Sequence, residues 1–310
     1  MNPIKISPAF KDYLWGGDRL KREYNKKSDL DKVAESWELS THKDGESIVS
    51  DGEYKGMKLS EYINKNPENV IGSDAAKFDF FPILIKFIDA KDNLSIQVHP
   101  NDEYALKHTG GYGKTEMWYI LDCEEGAFLY YGFKKKITSE QFRQAIEDNS
   151  LLDLLNKVEV KKGDVFFIEA GTVHAIGKGI VICEIQQNSN TTYRVYDYNR
   201  KDKDGNTRPL HIEQAIAVAK TEPPAKYVHE DENMLAKCKY FTVEKACING
   251  EKTFEITDKC FKSVIVVSGS GELILNNHKT ELIKGDSVFV PAQNAEFKIC
   301  GNCEAIISYV

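Results

Sequence analysis

Two stretches of the sequence, 122 residues apart, share one pattern. Residues 162–170 read KGDVFFIEA, and residues 284–292 read KGDSVFVPA. In each stretch a Gly-Asp turn signal precedes a short apolar run, which is typical of a strand entered from a tight turn. A pattern that recurs in this way indicates two copies of one structural unit. The sequence therefore predicts a duplicated β unit.

The neighbouring sequence continues this β pattern. Short runs rich in β-branched and aromatic residues recur from residue 81 onward, at the spacing of an all-β sandwich or barrel. The predicted strands include residues 81–88, 94–99, 116–121, 128–132, 164–168, 180–186 and 192–198. Helical spacing interrupts them at residues 59–63, 139–156 and 212–219. We expect a mainly β protein with short helical inserts.

The composition limits the possible partners. The 310 residues include 41 Lys plus Arg and 48 Asp plus Glu, which gives a formal net charge of -7. This acidic balance disfavours nucleic acid or an anionic membrane surface as the main partner. No apolar run approaches the roughly 18 to 20 residues of a membrane helix, and the first residues carry no secretory signal pattern. We expect a cytoplasmic protein without nucleic-acid or membrane partners.

Polar side chains alternate with apolar ones in the strand predicted at residues 94–99. The strand period of two places Ser95, Gln97 and His99 on one face. The same rule places Lys114 and Glu116 together on the next strand. We expect both polar faces to point into one cavity.

A second histidine, His174, precedes a turn at residues 177–179. We expect a hairpin there that pairs His174 with Ile182 and puts Glu184 on the same face as His174. Two imidazoles, a carboxylate and an amide oxygen suit a divalent ion with an open coordination position. Zn²⁺ is favoured, although Fe²⁺, Mn²⁺ and Co²⁺ accept the same ligand types. The spacing itself matches no compact metal motif, and an isolated strand histidine is more often a hydrogen-bonded core or surface residue.

The order of several motifs resembles that of a known family, the type I mannose-6-phosphate isomerases in their short bacterial form. The resemblance covers nearly the whole chain. The motifs are WGG at 15–17, AESWE at 34–38, QVHP at 97–100, KTEM at 114–117, GTVHA at 171–175, the segment 184–194 and YRVYDY at 193–198. The large helical insertion of the longer family members is absent here.

The resemblance implies two cupin-type barrels in tandem, each a double-stranded β-helix or jelly roll. We expect residues 1–228 to form the catalytic, metal-binding cupin domain with helical inserts. Residues 229–310 are expected to form a C-terminal cupin-like barrel that lacks metal ligands. The repeat supports this difference, because His174 carried forward by 122 residues falls on Glu296. Matching the hairpins that precede the two copies, Trp118 with Val264, puts Glu116 near Phe261 or Lys262.

The family interconverts mannose 6-phosphate and fructose 6-phosphate, so the resemblance implies an aldose-ketose isomerase acting on a phosphosugar. It also implies one Zn²⁺ per chain and proton transfer through a cis-enediol. The oligomeric state is left open. The implied zinc ligands are Gln97, His99, Glu116 and His174, the implied catalytic residues are Arg194, Glu184 and Lys114, and the implied phosphate contacts are Ser95, Lys86 and Arg200.

Two other functions fit the same residues. A different metal-dependent cupin enzyme, such as an oxygenase or decarboxylase, would use the same His and Glu ligands. Such an enzyme needs no phosphate anchor. A non-catalytic sugar-phosphate-binding module would keep the pocket, but it would not need the proton-transfer group that Glu184 supplies.

Overall fold

The computed structural model describes residues 1–201, 204–228 and 232–310. No helix among these residues is long and apolar enough to cross a membrane. The strands are β1 (Ile4–Ser7), β2 (Ala9–Lys11), β3 (Glu35–Leu39), β4 (Ile48–Val49), β5 (Ile83–Ala90), β6 (Ile96–Val98), β7 (Glu116–Cys123), β8 (Phe128–Phe133), β9 (Leu155–Glu159), β10 (Val165–Ile168), β11 (His174–Ile176), β12 (Ile180–Gln187), β13 (Tyr193–Tyr196), β14 (Met234–Lys237), β15 (Thr242–Ile256), β16 (Lys262–Leu275), β17 (His278–Ile283), β18 (Ser287–Val290) and β19 (Ala295–Tyr309). The helices are α1 (Arg19–Glu23), α2 (Leu59–Lys65), α3 (Pro67–Ala75), α4 (Asp102–His108), α5 (Ser139–Glu147), α6 (Leu151–Leu154) and α7 (Ile212–Val218).

These elements confirm a mainly β protein with short helical inserts. One predicted helix is wrong in its length, because the single helix expected over 139–156 is two helices, α5 and α6. Asn149, between them, has a φ of 61°, which lies outside the helical region. Helix α5 begins with a capping box in which Thr138 and Gln141 hydrogen-bond each other's backbone N–H groups.

The chain folds into two compact units that are not successive segments. Unit 1 contains residues 1–11, 18–87 and 229–310, and unit 2 contains residues 12–17 and 88–228. The predicted boundary between residues 228 and 229 is one of the boundaries between them. Residues 229–231 themselves lie outside the described residues. The assignment of one catalytic domain to 1–228 and one ligand-free barrel to 229–310 stays a prediction.

Unit 1 contains an antiparallel sheet in the order β14-β15-β19-β16-β18-β1-β4, with β17 paired to β16. Its three longest strands align Gly250, Gly301 and Gly271 side by side. Gly301 has a φ of 137°, and a Cβ there would lie 2.5 Å from the carbonyl oxygen of Ser270. Glycine is therefore required at this point, where the backbone leaves the extended conformation. The interior of the sheet is apolar, lined among others by Val264, Val266, Leu273, Val288, Phe297 and Ile307.

Unit 2 contains the five-stranded sheet β13-β6-β11-β8-β9 and the three-stranded set β10-β7-β12, both antiparallel. Strand alternation gives the five-stranded sheet two different faces. One face packs against α5, α6 and α7 through buried apolar residues that include Ile96, Val98, Val173, Ala175, Tyr193 and Val195. The residues between these, such as Gln97, His174 and Arg194, lie on the opposite face.

The repeat seen in the sequence recurs in the hydrogen bonds. Gly163 and Gly285 have φ angles of 91° and 94°, and each N–H donates at 2.8 Å to a carbonyl on the neighbouring strand, in β7 or β16. Asp164 and Asp286 each accept, at 2.9 Å, the backbone N–H of the residue three positions earlier. The strands that follow, β10 and β18, then pair antiparallel with β7 and β16. The two turn-and-strand segments are therefore copies in structure as well as in sequence.

Candidate metal centre and active site

Three predicted ligands meet in unit 2. One donor atom from each of His99, Glu116 and His174 lies within 4.8 Å of the others, and all three residues are buried. Glu116 begins β7, His174 begins β11, and His99 directly follows β6. Ends of three strands that are far apart in sequence therefore meet at one place. The spacing of the three residues in the sequence does not reveal this.

The expected hairpin that pairs His174 with Ile182 is wrong. His174 pairs with Gln97 on β6 and with Tyr131 on β8, whereas Ile182 pairs with Ile120 on β7. The short connection at residues 177–179 links strands of two different sheets. A three-residue turn between extended runs fits either arrangement, and pairing with distant strands decides between them.

Both histidines are held in the orientation and tautomer that metal binding needs. The Nδ1 of His174 lies 2.8 Å from the carbonyl oxygen of Thr172, and the Nδ1 of His99 lies 2.9 Å from that of Thr191. A carbonyl oxygen only accepts, so each Nδ1 carries the proton and each Nε2 keeps a lone pair. Both Nε2 atoms face Glu116, at 3.4 Å from its Oε1 for His174 and 3.6 Å from its Oε2 for His99. A backbone carbonyl behind a ligating imidazole is a common feature of metal sites.

The electrostatics also favour a neutral His174. Burial lowers the pKa of His174 from 6.5 to about 4, the hydrogen bond to Thr172 opposes this shift, and the positive charge of Lys114 adds to it. A low pKa keeps the imidazole unprotonated at neutral pH. Its lone pair is then available for a cation.

Gln97 adds an amide to the same place. Its Nε2 lies 3.4 Å from the Nε2 of His174, directly across from it in the sheet. Rotation of the amide by a half turn exchanges the nitrogen for Oε1 and brings an oxygen ligand to this position. The four predicted ligands are therefore together, and their donor types suit a divalent cation.

Lys114 lies between the ligand set and a second carboxylate. Its Nζ forms a buried ion pair with Glu116 and lies 3.2 Å from the Nε2 of His99 and 3.5 Å from Oε1 of Glu184. The other oxygen of Glu184 accepts a hydrogen bond of 2.9 Å from Trp118 Nε1, across the β7–β12 pair. Glu184 therefore lies at the site. It is placed there by the pairing of β12 with β7, opposite Trp118, and not by a hairpin with His174.

Arg194 lies in line with the ligands. It pairs with Gln97 across β13 and β6, so His174, Gln97 and Arg194 occupy neighbouring positions on one face of three adjacent strands. Cross-strand neighbours of this kind are roughly 5 Å apart. The guanidinium donates a hydrogen bond of 3.0 Å to the carbonyl oxygen of Pro209.

The predicted phosphate residues lie in different surroundings. Ser95 is buried in unit 2 just before β6. Lys86 is buried in unit 1, with its Nζ 3.5 Å from Glu35 and 4.7 Å from the centre of the Trp37 ring. Arg200 pairs with Asp197. Phosphate contact stays a prediction for all three.

Gln186 is a buried residue that the sequence reading missed. It lies opposite Glu116 on the neighbouring strand, and its amide nitrogen donates to the carbonyl oxygens of Gln187 and Ser189. Its Oε1 is buried without a hydrogen-bond partner among the described residues. The alternation that links Glu184 to Gln186, two positions on, was the available signal.

The fold and this site define a cupin-type enzyme with a metal cofactor. Residues 4–127 match the model of the phosphomannose isomerase type I catalytic domain, and residues 231–310 match that of the mannose-6-phosphate isomerase cupin domain. The chain is 39% identical to mannose-6-phosphate isomerase ManA of Bacillus subtilis, with 99% of each chain covered. It is 38% identical to mannose-6-phosphate isomerase of Streptococcus mutans, over 99% of this chain and 98% of that protein.

Solved structures agree. A mannose 6-phosphate isomerase from Bacillus subtilis superimposes with a TM-score of 0.91 at 35% identity, with both chains covered completely. A putative mannosephosphate isomerase from Archaeoglobus fulgidus, at 24% identity and a TM-score of 0.79 over 99% of this chain and 97% of that one, shares the fold. The chain belongs to the type I mannose-6-phosphate isomerase family. The predicted cupin fold and the predicted isomerase class are thereby confirmed.

Proposed function

We propose that the protein interconverts mannose 6-phosphate and fructose 6-phosphate, with one Zn²⁺ bound by Gln97, His99, Glu116 and His174. The observation that carries the metal proposal is the convergence of two Nε2 lone pairs on one buried carboxylate. Two imidazoles, a carboxylate oxygen and an amide oxygen form a ligand set that zinc accepts. When bound, the zinc would supply positive charge that polarises substrate oxygens.

The reaction moves a proton between C2 and C1 of the sugar, so it needs a base near the two carbons. Glu184 is the proposed base, because it is a buried carboxylate beside Lys114 and is held in place by the hydrogen bond from Trp118. General acid-base catalysis of this kind typically contributes about 10²–10⁴-fold.

Negative charge develops on the sugar oxygens while the cis-enediol forms. Lys114 and Arg194 are the proposed cations that stabilise this charge from the protein side. Lys114 lies between the two carboxylates, and Arg194 lies beside the ligand Gln97 on the sheet. The phosphate would be held at Arg200, with Ser95 as a further proposed contact. Phosphate contact by Lys86 stays a prediction from the resemblance.

We propose that residues 1–228 supply this chemistry and that residues 229–310 form a barrel without metal ligands. The support is the register of the repeat. Ile168 pairs with Glu116 in the first copy, and Val290, 122 residues later, pairs with Lys262 in the second. A lysine therefore takes the position of the acidic ligand. A cytoplasmic location and the absence of nucleic-acid and membrane partners remain predictions from the composition.

The test couples metal analysis to turnover. Purified protein, stripped of metal and reloaded with one ion at a time, is assayed with mannose 6-phosphate labelled with deuterium at C2. We expect activity to return with Zn²⁺ at one ion per chain and the label to exchange with solvent. A protein that binds mannose 6-phosphate without releasing the label would be a binding module. Activity on this substrate that depends on O₂ would favour an oxygenase.

A further inference from the structure

Three arginines of unit 2 gather around one carboxylate next to the proposed active site. Arg208 donates to both oxygens of Asp197, from Nε at 2.7 Å and from a terminal nitrogen at 2.6 Å. Arg200 donates to Asp197 as well, and its other terminal nitrogen donates to the carbonyl oxygen of Asn93 at 2.6 Å. Arg194 interacts electrostatically with all three of these residues. We call Arg194, Arg200, Arg208 and Asp197 the arginine cluster.

The cluster carries more positive than negative charge. Among the described residues, Asp197 is the carboxylate that pairs with these guanidinium groups, which leaves a formal excess of two positive charges. Burial lowers the pKa of Arg194, and the charges of Arg208 and Arg200 act in the same direction. Burial raises the pKa of Asp197, but the hydrogen bonds from Arg208 and Arg200 outweigh it, so the net shift is downward. The Asp197 carboxylate therefore stays charged.

The cluster also has unused hydrogen-bond donors. The Nε atoms of Arg194 and Arg200 are buried without a hydrogen-bond partner among the described residues. An unmatched buried donor costs free energy, and a bound anion would supply the missing acceptors. Solvent still reaches the group, because 23% of the Arg200 side chain and 27% of the Arg208 side chain are exposed.

The backbone around the cluster is shaped to hold it. Tyr198 and Asn199, between Asp197 and Arg200, have φ angles of 56° and 53°, which non-glycine residues adopt rarely. Strained backbone of this kind tends to occur at functional sites. It turns the chain so that Arg200 folds back on Asp197, where its N–H donates to the Asp197 carbonyl at 3.1 Å.

We propose that Arg208, held in place by Asp197, is a phosphate-anchoring residue that acts together with Arg200, while Arg194 acts on the sugar oxygens. This rests on the proposed function, which supplies a sugar phosphomonoester. A phosphate dianion matches the excess charge of the cluster, and guanidinium forks bind phosphate oxygens in pairs. The location of the cluster is consistent with this role, because His174, Gln97 and Arg194 are neighbours across three adjacent strands. A sugar with its C1 and C2 at the metal would then have its phosphate directed toward the cluster.

The experiment compares Arg208→Gln with a matched control, Arg143→Gln, in the zinc-loaded enzyme. Arg143 also lies in unit 2 and forms a two-bond ion pair, but with the exposed Glu213. Binding of inorganic phosphate is measured by titration calorimetry, and KM and kcat are measured with mannose 6-phosphate and with mannose. For Arg208→Gln we expect the phosphate Kd and the KM for mannose 6-phosphate to rise about 10- to 100-fold. For the same variant we expect kcat/KM for mannose to stay unchanged. In Arg143→Gln we expect all of these values to stay at the wild-type level.

Arg208→Lys keeps the charge and loses the fork, so it provides the test if Arg208→Gln does not fold. Its phosphate Kd should be more than twofold above that of the wild type and, where Arg208→Gln folds, below that of Arg208→Gln. A phosphate Kd within twofold of the wild type in either folded variant would overturn the proposal, and so would an equal loss on both sugars. Phosphate binding by the wild type is measured without turnover. A wild type that binds phosphate but does not isomerise the sugar would instead overturn the proposed function.

Discussion

Two regions of the molecule use the same local structure for different interiors. The turn and strand at residues 162–168 and at residues 284–290 have matching glycine conformations, aspartate hydrogen bonds and antiparallel pairing. On the strand that each copy pairs with, Glu116 and Trp118 of the first copy correspond to Lys262 and Val264 of the second. The shared backbone pattern therefore does not require metal-binding side chains. Whether a copy can bind a metal depends on a few side chains of the neighbouring strands.

The second copy has different residues at the positions that correspond to the polar interior of the first copy. Val264 packs in an apolar core, whereas Trp118, at the matching position, donates its indole N–H to Glu184. Lys262 has a lowered pKa because of burial, and its Nζ lies 4.4 Å from the centre of the Tyr309 ring. A buried carboxylate such as Glu116 is tolerated only with paired cations or a metal.

The largest effect, on metal binding, is expected from removing the negative charge of Glu116, which the second copy lacks. Glu116→Gln should weaken metal binding by more than about 100-fold, because loss of a direct ligand exceeds the 10- to 100-fold cost of losing a partner behind one. Turnover should fall with it. Metal content by plasma mass spectrometry and isomerase assays check this. Lys262→Met, at the matching position of the second copy, should change neither quantity. Full metal occupancy in Glu116→Gln would rule out this ligand set.

Changing the carboxylate that faces Trp118 should separate chemistry from metal binding. Glu184→Gln keeps an acceptor for the indole N–H but cannot take up the substrate proton, so kcat should fall by about 10²–10⁴-fold with metal content unchanged. Glu169→Gln is the control, because Glu169 is a largely exposed carboxylate of the same unit, paired with Lys220. Wild-type turnover in Glu184→Gln would exclude it as the base.

The polar interior should also make unit 2 sensitive to acid when no metal is bound. The folded protein keeps the pKa of His174 near 4, against 6.5 for the free side chain, so the unfolded chain binds the extra proton first. Stability of the metal-free protein should therefore fall as the pH drops from 6.5 toward 4, by up to about 3 kcal/mol from this group. Urea unfolding across this range measures the effect.

His174→Gln should remove that part of the pH dependence. His278→Gln, at an exposed position of β17, should leave it in place. An unchanged pH slope in His174→Gln would mean that other groups control acid sensitivity.

The smallest effects are expected where the two copies agree. Asp164→Ala and Asp286→Ala each lose the hydrogen bond that closes the turn, at a cost of about 1 kcal/mol in the free energy of unfolding. Asp286→Ala should cost slightly more, because Asp286 also pairs with Lys5 at 2.8 Å. Urea unfolding gives both values. Metal content should be unchanged in both variants, and loss of metal in Asp164→Ala would contradict the separation of turn and chemistry.

The sequence predicted the duplicated β unit and the inward-facing residues well. Turn signals and a period of two are local properties, so Gln97 and His99 could be placed on a polar strand face before any pairing was known. Motif resemblance added the family. The break at Asn149 was missed, because the apolar spacing of residues 139–156 continues across it.

The amino-acid sequence alone determined most of the strands that carry the site residues, the side of each strand on which a residue lies and the types of ligand available. The tertiary structure decided which strands meet. It separated β11 from β12, brought Glu184 to the site opposite Trp118 and placed Arg208 on Asp197 beside the line of His174, Gln97 and Arg194. The physical reason is that alternation fixes the direction of a side chain within its own strand. The pairing partner depends on contacts between residues far apart in the chain, which no local pattern records.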